Sequence, residues 1–322
     1  VIFCPDHEPP AAQVAHRHIQ AAYDDQTALR EFCSLITVAT FEFENLPSDA
    51  LTFVENQIPL FPNVKALETA QDRLVEKVFL NNTSLPTAPY RAVDSLSQLK
   101  TAVAELGLPV VLKTRRFGYD GKGQMIIQSQ DDIQLAWDAL RSAPGGLILE
   151  GFVNFQKELS VITVRHPNGD IRSYEPIWNT HENHILSTST VPVELDSKLS
   201  RQAIDHAEHL AAALNYIGVL TVEFFATEDG IIANEIAPRV HNSGHWTIEG
   251  ATTSQFENHI RAILGWPLGA TDTLGTIHMQ NLIGRDVDDI QDIANDGHAH
   301  IHLYGKGAPR LGRKMGHITW VK

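Results

Sequence analysis

Residues 109–128 decide the fold, and they read P-V-V-L-K-T-R-R-F-G-Y-D-G-K-G-Q-M-I-I-Q. The β-branched runs 109–113 and 124–128 predict two strands, so the segment between them forms the tip of a hairpin. The tip contains three glycines, Gly118, Gly121 and Gly123. Glycines let a backbone approach a polyphosphate closely, and Lys113 and Lys122 add positive charge. We interpret this hairpin as a lid and a candidate nucleotide clamp.

Two better-known glycine motifs do not fit this segment. A phosphate loop of the Walker type needs G-x-x-x-x-G-K-[ST] followed by a helix, but residues 118–123 run into Gln124 and a strand. A dinucleotide fingerprint also needs a helix after its glycines. From this loop alone, an ordinary glycine-rich hairpin is as good an interpretation as a nucleotide clamp. The rest of the chain has to distinguish between the two.

Composition limits the classes of protein and partner. A chain of 322 residues is long enough for two or three domains. Its 25 Lys and Arg against 39 Asp and Glu give a net charge of −14, which argues against nucleic acid or an anionic membrane as a partner. The two cysteines suit a reducing compartment, and there is no long apolar run or secretory signal pattern. We expect a cytoplasmic protein.

The first part of the chain alternates helical and strand patterns, which is typical of an α/β domain with a parallel sheet. Periodicity predicts helices at 11–22, 27–33, 47–56 and 65–80 and a strand at 35–40. The helix at 65–80 is expected to expose Asp72, Arg73, Glu76 and Lys77. Helices at 95–106 and 131–141, with a strand at 147–149, complete a small lobe that carries the lid.

Longer strands follow, at 158–165 and 171–178, and then a polar loop that contains His181 and His184. After a helix at 197–214, strands at 219–226 and 231–236 are joined by a short loop that ends in glycine. This hairpin register places Glu223 opposite Glu235. Facing carboxylates repel unless one is protonated or a cation lies between them, and magnesium is the expected cation for oxygen ligands near a nucleotide.

The remaining segments are polar and then basic. Residues 238–245 form a polar loop, and a helix is predicted at 253–264. The strand-rich tail has no acidic residue between Tyr304 and His317 but carries Lys306, Arg310, Arg313 and Lys314. A solvated face or a nucleic-acid patch would also explain such a tail, although the net negative charge lowers the second option.

Together, Lys113 on a strand, the glycine lid, E-x-x-V at 150–153 and the paired carboxylates resemble the ATP-grasp fold. Four strings are similar to those of the 5-(carboxyamino)imidazole ribonucleotide synthetase family: F-E-F-E-N at 41–45, G-Y-D-G-K-G-Q at 118–124, N-E-I-A-P-R-V-H-N-S-G-H at 234–245 and G-R-K-M-G-H at 312–317. They occur in the right order, and the resemblance covers essentially the whole chain.

The resemblance implies an α/β and α+β protein in three parts. These are a Rossmann-like N-terminal domain at 1–64, an ATP-grasp region at 65–265 and a small β-rich C-terminal domain at 266–322. The ATP-grasp region would comprise a lid-bearing lobe at about 83–148 and a second lobe at about 149–265. The family's opening strand and its G-G-G-Q-L-G-R-M-like turn do not precede Val1, so we expect the N-terminal domain to lack its start.

The resemblance also implies roles for individual residues. ATP would be held by Arg73, Lys113, Gly118, Tyr119, Asp120, Gly121, Lys122, Gly123, Gln124, Glu150, Gly151, Phe152, Val153, Glu158, His181, Asn234 and Glu235. Mg²⁺ would be held by Glu223 and Glu235. The catalytic set would be Tyr119 and Asp120 beside the aminoimidazole, with Arg239, His241 and Asn242 beside bicarbonate and carboxyphosphate. The ribonucleotide phosphate would be held by Lys306 and Arg313.

The implied activity is ATP- and bicarbonate-dependent carboxylation of the amine of 5-aminoimidazole ribonucleotide, a step of purine synthesis. We expect ATP and Mg²⁺ as cofactors, these small molecules as the substrates, neither nucleic acid nor membrane as a partner, and a homodimer. Two alternatives stay open, an ATP-grasp ligase for another substrate and a non-catalytic nucleotide-binding module. Loss of the metal carboxylates or the lid lysine would favour the module, yet all of them are present.

Overall fold

The structure is a computed structural model that describes residues 1–118 and 121–322. Its strands are β1 (Ile2–Phe3), β2 (His18–Ile19), β3 (Tyr90–Val93), β4 (Val110–Thr114), β5 (Gln124–Ile127), β6 (Leu147–Gly151), β7 (Lys157–Arg165), β8 (Ile171–Ser173), β9 (Ile177–Glu182), β10 (Ile185–Val191), β11 (Gly218–Thr227), β12 (Gly230–Ala237), β13 (Ile277–Ile283), β14 (Ala299–Leu303) and β15 (Lys314–Val321).

Its α-helices are α1 (Gln26–Ser34), α2 (Ser48–Glu55), α3 (Val64–Gln71), α4 (Arg73–Asn82), α5 (Leu96–Leu106), α6 (Asp132–Leu140), α7 (Ser197–Ala213), α8 (Thr247–Gly250), α9 (Gln255–Ile263) and α10 (Ile290–Ile293). Short 3-10 helices lie at Pro10–Gln13, Asn242–Gly244 and Gly284–Asp289. None of the helices in the described part of the chain is long and apolar enough to cross a membrane.

Two predictions for the N-terminal region are wrong. The helix expected at 11–22 is only a 3-10 turn at Pro10–Gln13, because His18–Ile19 pairs in parallel with Ile2–Phe3 instead. The strand expected at 35–40 is reduced to one bridge between Ala39 and Leu60. Pairing with a distant segment therefore overrides the local helical pattern here.

The helix predicted at 65–80 is two helices that meet at Asp72. This residue leaves the helical conformation with φ −124° and ψ 110°, and its carboxylate accepts hydrogen bonds from the backbone N–H groups of Leu74 and Val75, as an N-cap does. The expected exposure of the polar side chains is also wrong, since Glu76 is 2% and Lys77 is 1% exposed. The break turns α4 so that both side chains point towards β12, where they find polar partners.

The lid-bearing lobe is a four-stranded antiparallel sheet in the order β3-β6-β4-β5. Helices α5 and α6 pack on it through a core that includes Leu99, Leu112, Ile133 and Leu149. The predicted hairpin is confirmed, because β4 and β5 pair from Val110 with Ile127 to Lys113 with Gln124. The glycine-rich segment thus connects two strands of a packed sheet.

The second sheet has nine strands in the order β12-β11-β7-β9-β10-β13-β15-β14, with β8 paired to β7. Helix α7 covers one face of this sheet, where its Leu210 packs in a core with Leu220 and Phe224 of β11. The strand predicted at 171–178 is split into β8 and β9. The C-terminal strands continue the sheet, because β13 pairs antiparallel with β10. The division into domains at 265/266 stays a prediction.

The hairpin of β11 and β12 has the predicted register at its most informative position. Glu223 pairs directly with Glu235. The next pair is Phe224 with Ala233, so a bulge follows the two glutamates. The two acidic side chains therefore lie side by side on the outermost two strands at one edge of the sheet.

Candidate active site

The lid-bearing sheet and the nine-stranded sheet border a cleft of about 1070 Å³. Nearly all predicted site residues line it: Arg73, Lys113, Gly118, Gly121, Lys122, Gln124, Glu150, Gly151, Phe152, Val153, Glu158, His181, Glu223, Asn234, Glu235, Arg239, His241, Asn242 and Lys306. Gly123 and Arg313 are not among the lining residues. Tyr119 and Asp120 lie outside the described residues. The roles assigned to all of these residues remain predictions.

Two lysines share the buried carboxylate of Glu150, and of these lysines Lys113 lines the cleft while Lys77 lies buried behind it. Lys113 Nζ lies 2.9 Å and Lys77 Nζ 3.5 Å from Glu150 Oε2, and Lys77 also donates to the Asn234 carbonyl at 3.0 Å. Burial opposes ionisation of Glu150, but the two lysines lower its pKa to about 2. Burial lowers the pKa of Lys113 despite the attraction of Glu150. One carboxylate against two ammonium groups leaves positive charge for an anionic ligand.

Arg73 connects α4 to the predicted metal pair. Its Nη1 donates to Glu235 Oε2 at 2.8 Å. Burial opposes ionisation of Glu235, yet the Arg73 guanidinium lowers its pKa. The neighbouring Glu76 accepts the backbone N–H of Ile236 at 2.6 Å, and burial together with Glu235 raises the pKa of Glu76 to about 8. Glu235 is thus held as a carboxylate, whereas the neighbouring Glu76 keeps its proton near neutral pH.

Glu223 is held from the polar loop by His241, whose Nε2 lies 3.2 Å from Glu223 Oε1. The side chain of Gln255 in turn fixes the loop. It accepts a hydrogen bond from the backbone N–H of His241 at 2.9 Å and donates one to the backbone carbonyl of His241 at 2.6 Å. His241 Nδ1 accepts the N–H of Ser243 at 3.3 Å. This contact assigns the proton to Nε2, the ring nitrogen that faces Glu223.

A buried chain of hydroxyl and amide groups connects His241 to the nine-stranded sheet. His241 Nδ1 lies 2.8 Å from Ser243 Oγ, and Ser243 Oγ lies 2.8 Å from Ser160 Oγ. Asn179 donates to Ser160 at 2.9 Å and accepts from Ser189 at 2.8 Å. Because the chain links the loop to β7, β9 and β10, it fixes the imidazole relative to the sheet.

The paired carboxylates fit a divalent cation. The glutamate side chains face the cleft, with Glu235 39% and Glu223 16% exposed. Their described polar contacts engage one oxygen of each, Oε2 of Glu235 and Oε1 of Glu223. Carboxylate oxygens are the ligands that magnesium prefers, and partial exposure leaves room for water and phosphate oxygens in the remaining positions.

Three family models match the chain in order. A ribonucleotide synthetase preATP-grasp domain matches residues 1–71, an ATP-grasp domain matches 78–256 and a phosphoribosylaminoimidazole carboxylase C-terminal domain matches 278–322. An N5-carboxyaminoimidazole ribonucleotide synthase from Brucella melitensis is 48% identical over 97% of this chain and 87% of its own length. The chain belongs to the N5-carboxyaminoimidazole ribonucleotide synthetase family.

Further comparisons agree with this assignment. The synthase of Bacillus subtilis is 43% identical over 99% of this chain and 84% of its own length. A solved synthase from Aspergillus clavatus, in complex with ADP and 5-aminoimidazole ribonucleotide, superimposes with a TM-score of 0.92 at 32% identity, covering 99% of this chain and 86% of that one. Members of the synthetase family are ATP-grasp ligases that carboxylate 5-aminoimidazole ribonucleotide.

For this member of the synthetase family, the structure corrects the placement of one of the two histidines predicted in a polar loop. His181 lies on β9 and not in a loop, and its Nδ1 is 2.9 Å from Glu158 Oε2. Burial lowers the pKa of His181, but Glu158 outweighs it and raises the pKa overall. His184 lies in the next turn, against the lid. A Cβ atom on Gly121, where φ is +73°, would lie 2.4 Å from the His184 ring.

Sequence reasoning missed several residues of the cleft. Glu44 Oε1 lies 2.8 Å from Arg239 Nε, and burial raises the pKa of Glu44 against the effect of that guanidinium. The string at 41–45 contains Glu44, but the sequence alone does not indicate its role. Phe155 stacks on Phe225 with ring centroids 4.5 Å apart and provides an apolar wall. Glu76, Phe155 and Phe225 have no local sequence signal.

The basic tail contributes two lysines to the cleft of this synthetase, Lys306 and Lys314. Burial lowers the pKa of Lys306, and the charge of Arg313, which does not line the cleft, lowers it further. Lys306 Nζ lies 5.1 Å from the centroid of the Tyr304 ring. The Lys306 ammonium thus lies over an aromatic face, and both residues line the cleft.

Proposed function

We propose that this chain uses ATP and bicarbonate to carboxylate the amine of 5-aminoimidazole ribonucleotide, releasing ADP and phosphate. The single observation that carries the proposal is that one cleft collects surplus lysine charge, paired carboxylates, a polar anion-binding loop and a basic tail. Family membership adds the identity of the ribonucleotide, because a relative is solved with it. A cytoplasmic homodimer remains part of the proposal.

ATP would lie across the lid-bearing sheet. Lys113, which lines the cleft, would neutralise charge on the phosphates, and the buried Lys77 adds positive charge behind it by sharing Glu150. The exposed Phe152 and the stacked Phe155 offer an apolar surface to the base. The Glu158–His181 pair provides polar groups beside it. These features support the predicted ATP site at 150–153 and on β7 and β9.

Glu223 and Glu235 would hold Mg²⁺, which supplies neutralising charge at the transferred phosphoryl group. Arg73 and His241 fix the two carboxylates from opposite sides, through contacts of 2.8 and 3.2 Å. The glutamates are therefore oriented before a cation binds. Such preorganisation lowers the reorganisation needed during reaction.

The proposed chemistry has two steps. An oxygen of bicarbonate attacks the γ-phosphorus of ATP, and the bond to the ADP oxygen breaks, which gives carboxyphosphate. The amine of the ribonucleotide then forms a bond to the carboxyl carbon, as phosphate leaves and the amine loses a proton. Arg239, His241 and Asn242 would bind the bicarbonate and the carboxyphosphate. Tyr119 and Asp120 remain predicted to lie by the aminoimidazole.

Exclusion of water is essential because carboxyphosphate is hydrolysed easily. The lid is placed to provide this exclusion, since its tip at Gly121 lies against His184 on the opposite sheet. The ribonucleotide phosphate is proposed to bind Lys306 and Arg313, with Lys314 as a further cation close to them. The proposal thus gives the two phosphate-bearing substrates different sets of cationic residues.

The test is to follow ADP release with each component omitted in turn. We expect release to require Mg²⁺ and bicarbonate and to be stimulated by 5-aminoimidazole ribonucleotide. Release that is indifferent to the ribonucleotide would contradict the proposal. A requirement for formate or an amino acid in place of bicarbonate would identify a ligase for another substrate.

A further inference from the structure

A second cluster of metal-binding side chains lies where α8 meets β14 and β15. His302 and His317 are directly paired across the two antiparallel strands, and their rings stack with centroids 4.5 Å apart at 11°. Glu249 on α8 approaches them, with Oε1 2.6 Å from His302 Nε2. One ligand atom from each of the three residues lies within 4.8 Å of the others.

Two buried polar atoms in this cluster have no hydrogen-bond partner in the described part of the chain. They are Nε2 of His317, a residue that is only 2% exposed, and Oε2 of Glu249, whose side chain is 14% exposed. His317 Nδ1 is already engaged by the Tyr304 hydroxyl at 2.7 Å, so Nε2 is the nitrogen left to bind a ligand. Buried polar atoms without partners are rare and call for an unplaced ion or water.

We propose that Glu249, His302 and His317 form a binding site for one Zn²⁺ ion. Two imidazoles and a carboxylate are a ligand set that zinc takes with water in the fourth position. The His302 side chain is 34% exposed, so water can reach that position. Imidazole nitrogens do not suit Mg²⁺, so this site is distinct in chemistry from the pair Glu223 and Glu235.

The surroundings of the cluster resemble those of built metal sites. Metal-bound histidines almost always use their second nitrogen in a hydrogen bond that fixes the ring, and the Tyr304 hydroxyl serves His317 in this way. The three ligands come from separate segments, α8, β14 and β15. A bound ion would therefore join the end of the polar loop region to the C-terminal strands.

The experiment titrates Zn²⁺ alone into the metal-stripped full chain, in competition with a chromophoric chelator and without ATP or Mg²⁺. We expect one tight equivalent in the parent protein. His302→Gln and Glu249→Gln should weaken that equivalent by more than about 100-fold, since losing even an outer partner of a ligand costs about 10- to 100-fold. Tyr304→Phe tests the outer partner and should weaken zinc within that smaller range.

His300→Gln is the matched control, because His300 is exposed on the same strand, two residues from His302. It should bind zinc as the parent does. Thermal unfolding provides a second readout, in which zinc raises the Tm of the parent and of His300→Gln but not that of His302→Gln or Glu249→Gln. Glu249→Gln is nearly isosteric, so misfolding does not account for a loss there. Equal zinc affinity in the parent, His302→Gln and Glu249→Gln would overturn the proposal. The result does not depend on the ligase reaction.

Discussion

Glu223 and Glu235 face each other across the β11–β12 pair, and a different nitrogen-bearing side chain contacts each of them. Arg73 reaches Glu235 from α4, whereas His241 reaches Glu223 from the polar loop. The pair is thus fixed by elements from both ends of the ATP-grasp region. Such a geometry keeps two carboxylates together at a point where their mutual repulsion would separate them.

Removing one of these charges should abolish turnover. We expect Glu235→Gln to remain folded, since Arg73 can still donate to the amide oxygen, but to lose the stabilisation by Mg²⁺ and an ATP analogue in thermal unfolding. Glu228→Gln, in the exposed turn of the same hairpin, is the control. If magnesium and the analogue raise the Tm of Glu235→Gln as much as that of the parent, the pair does not bind the metal.

Glu150 should contribute more to stability than any exposed acid. Glu150→Gln leaves Lys113 and Lys77 buried without a counter-charge, and breaking a buried ion pair in this way costs about 3–5 kcal/mol. Urea unfolding at neutral pH measures the loss. The control Glu105→Gln removes an exposed pair with Arg91 and should cost about 0–1 kcal/mol. Similar losses in the two variants would contradict this account of the cleft.

His259 should make the fold sensitive to mild acid. It is 6% exposed, accepts the Val219 N–H at Nδ1 and contacts Thr40 through Nε2. Burial lowers the pKa of His259 from 6.5 to about 4. Its neutral form therefore contributes stability above about pH 6.5, and this stability is lost as the pH falls towards 4.

The expected size of the effect is about 2 kcal/mol at pH 5, from about 1.4 kcal/mol for each pH unit below 6.5. Urea unfolding of the parent and of His259→Gln at pH 7.5 and pH 5 measures it. The parent should lose about 2 kcal/mol more than the variant between these values. Parallel losses would show that His259 is not the group responsible.

The tail should bind the ribonucleotide and not ATP. A charge-assisted hydrogen bond to phosphate contributes about 1.5–3 kcal/mol, so Lys306→Ala and Arg313→Ala should each raise the KM for the ribonucleotide by about 10- to 100-fold. The KM for ATP should not change. Because Lys306 lines the cleft and Arg313 does not, the effect should be larger for Lys306.

Arg310→Ala is the control for this series, since Arg310 is exposed in the same basic segment. This variant should leave the KM for the ribonucleotide and the KM for ATP unchanged. A rise in the KM for ATP, with no change for the ribonucleotide, would place the tail at the nucleotide site and contradict the proposed placement.

The sequence predicted those features that depend on local pattern. The lid hairpin follows from two β-branched runs and the glycines between them, and the pairing of Glu223 with Glu235 follows from a short turn of fixed register. Patterns of this kind need no knowledge of distant contacts. They were sufficient to place the candidate metal pair and the lid.

Features that depend on distant contacts could not be predicted. A polar helix face normally lies in solvent, so the sequence predicts that Glu76 and Lys77 are exposed. Asp72 instead ends one helix and starts another, and this change of direction buries both side chains. Their partners, Ile236 and Asn234, are about 160 residues away in the chain. Only the three-dimensional structure brings these groups together.

The most direct test of the account is transfer of carbon from ¹³C-labelled bicarbonate to the ribonucleotide, followed by NMR in the presence of ATP and Mg²⁺. The account predicts a carbamate signal that requires all four components and is formed in step with ADP. Glu228→Gln should produce the same signal, and Glu235→Gln should not. ATP consumption at the full rate without a labelled carbamate would contradict the proposed reaction.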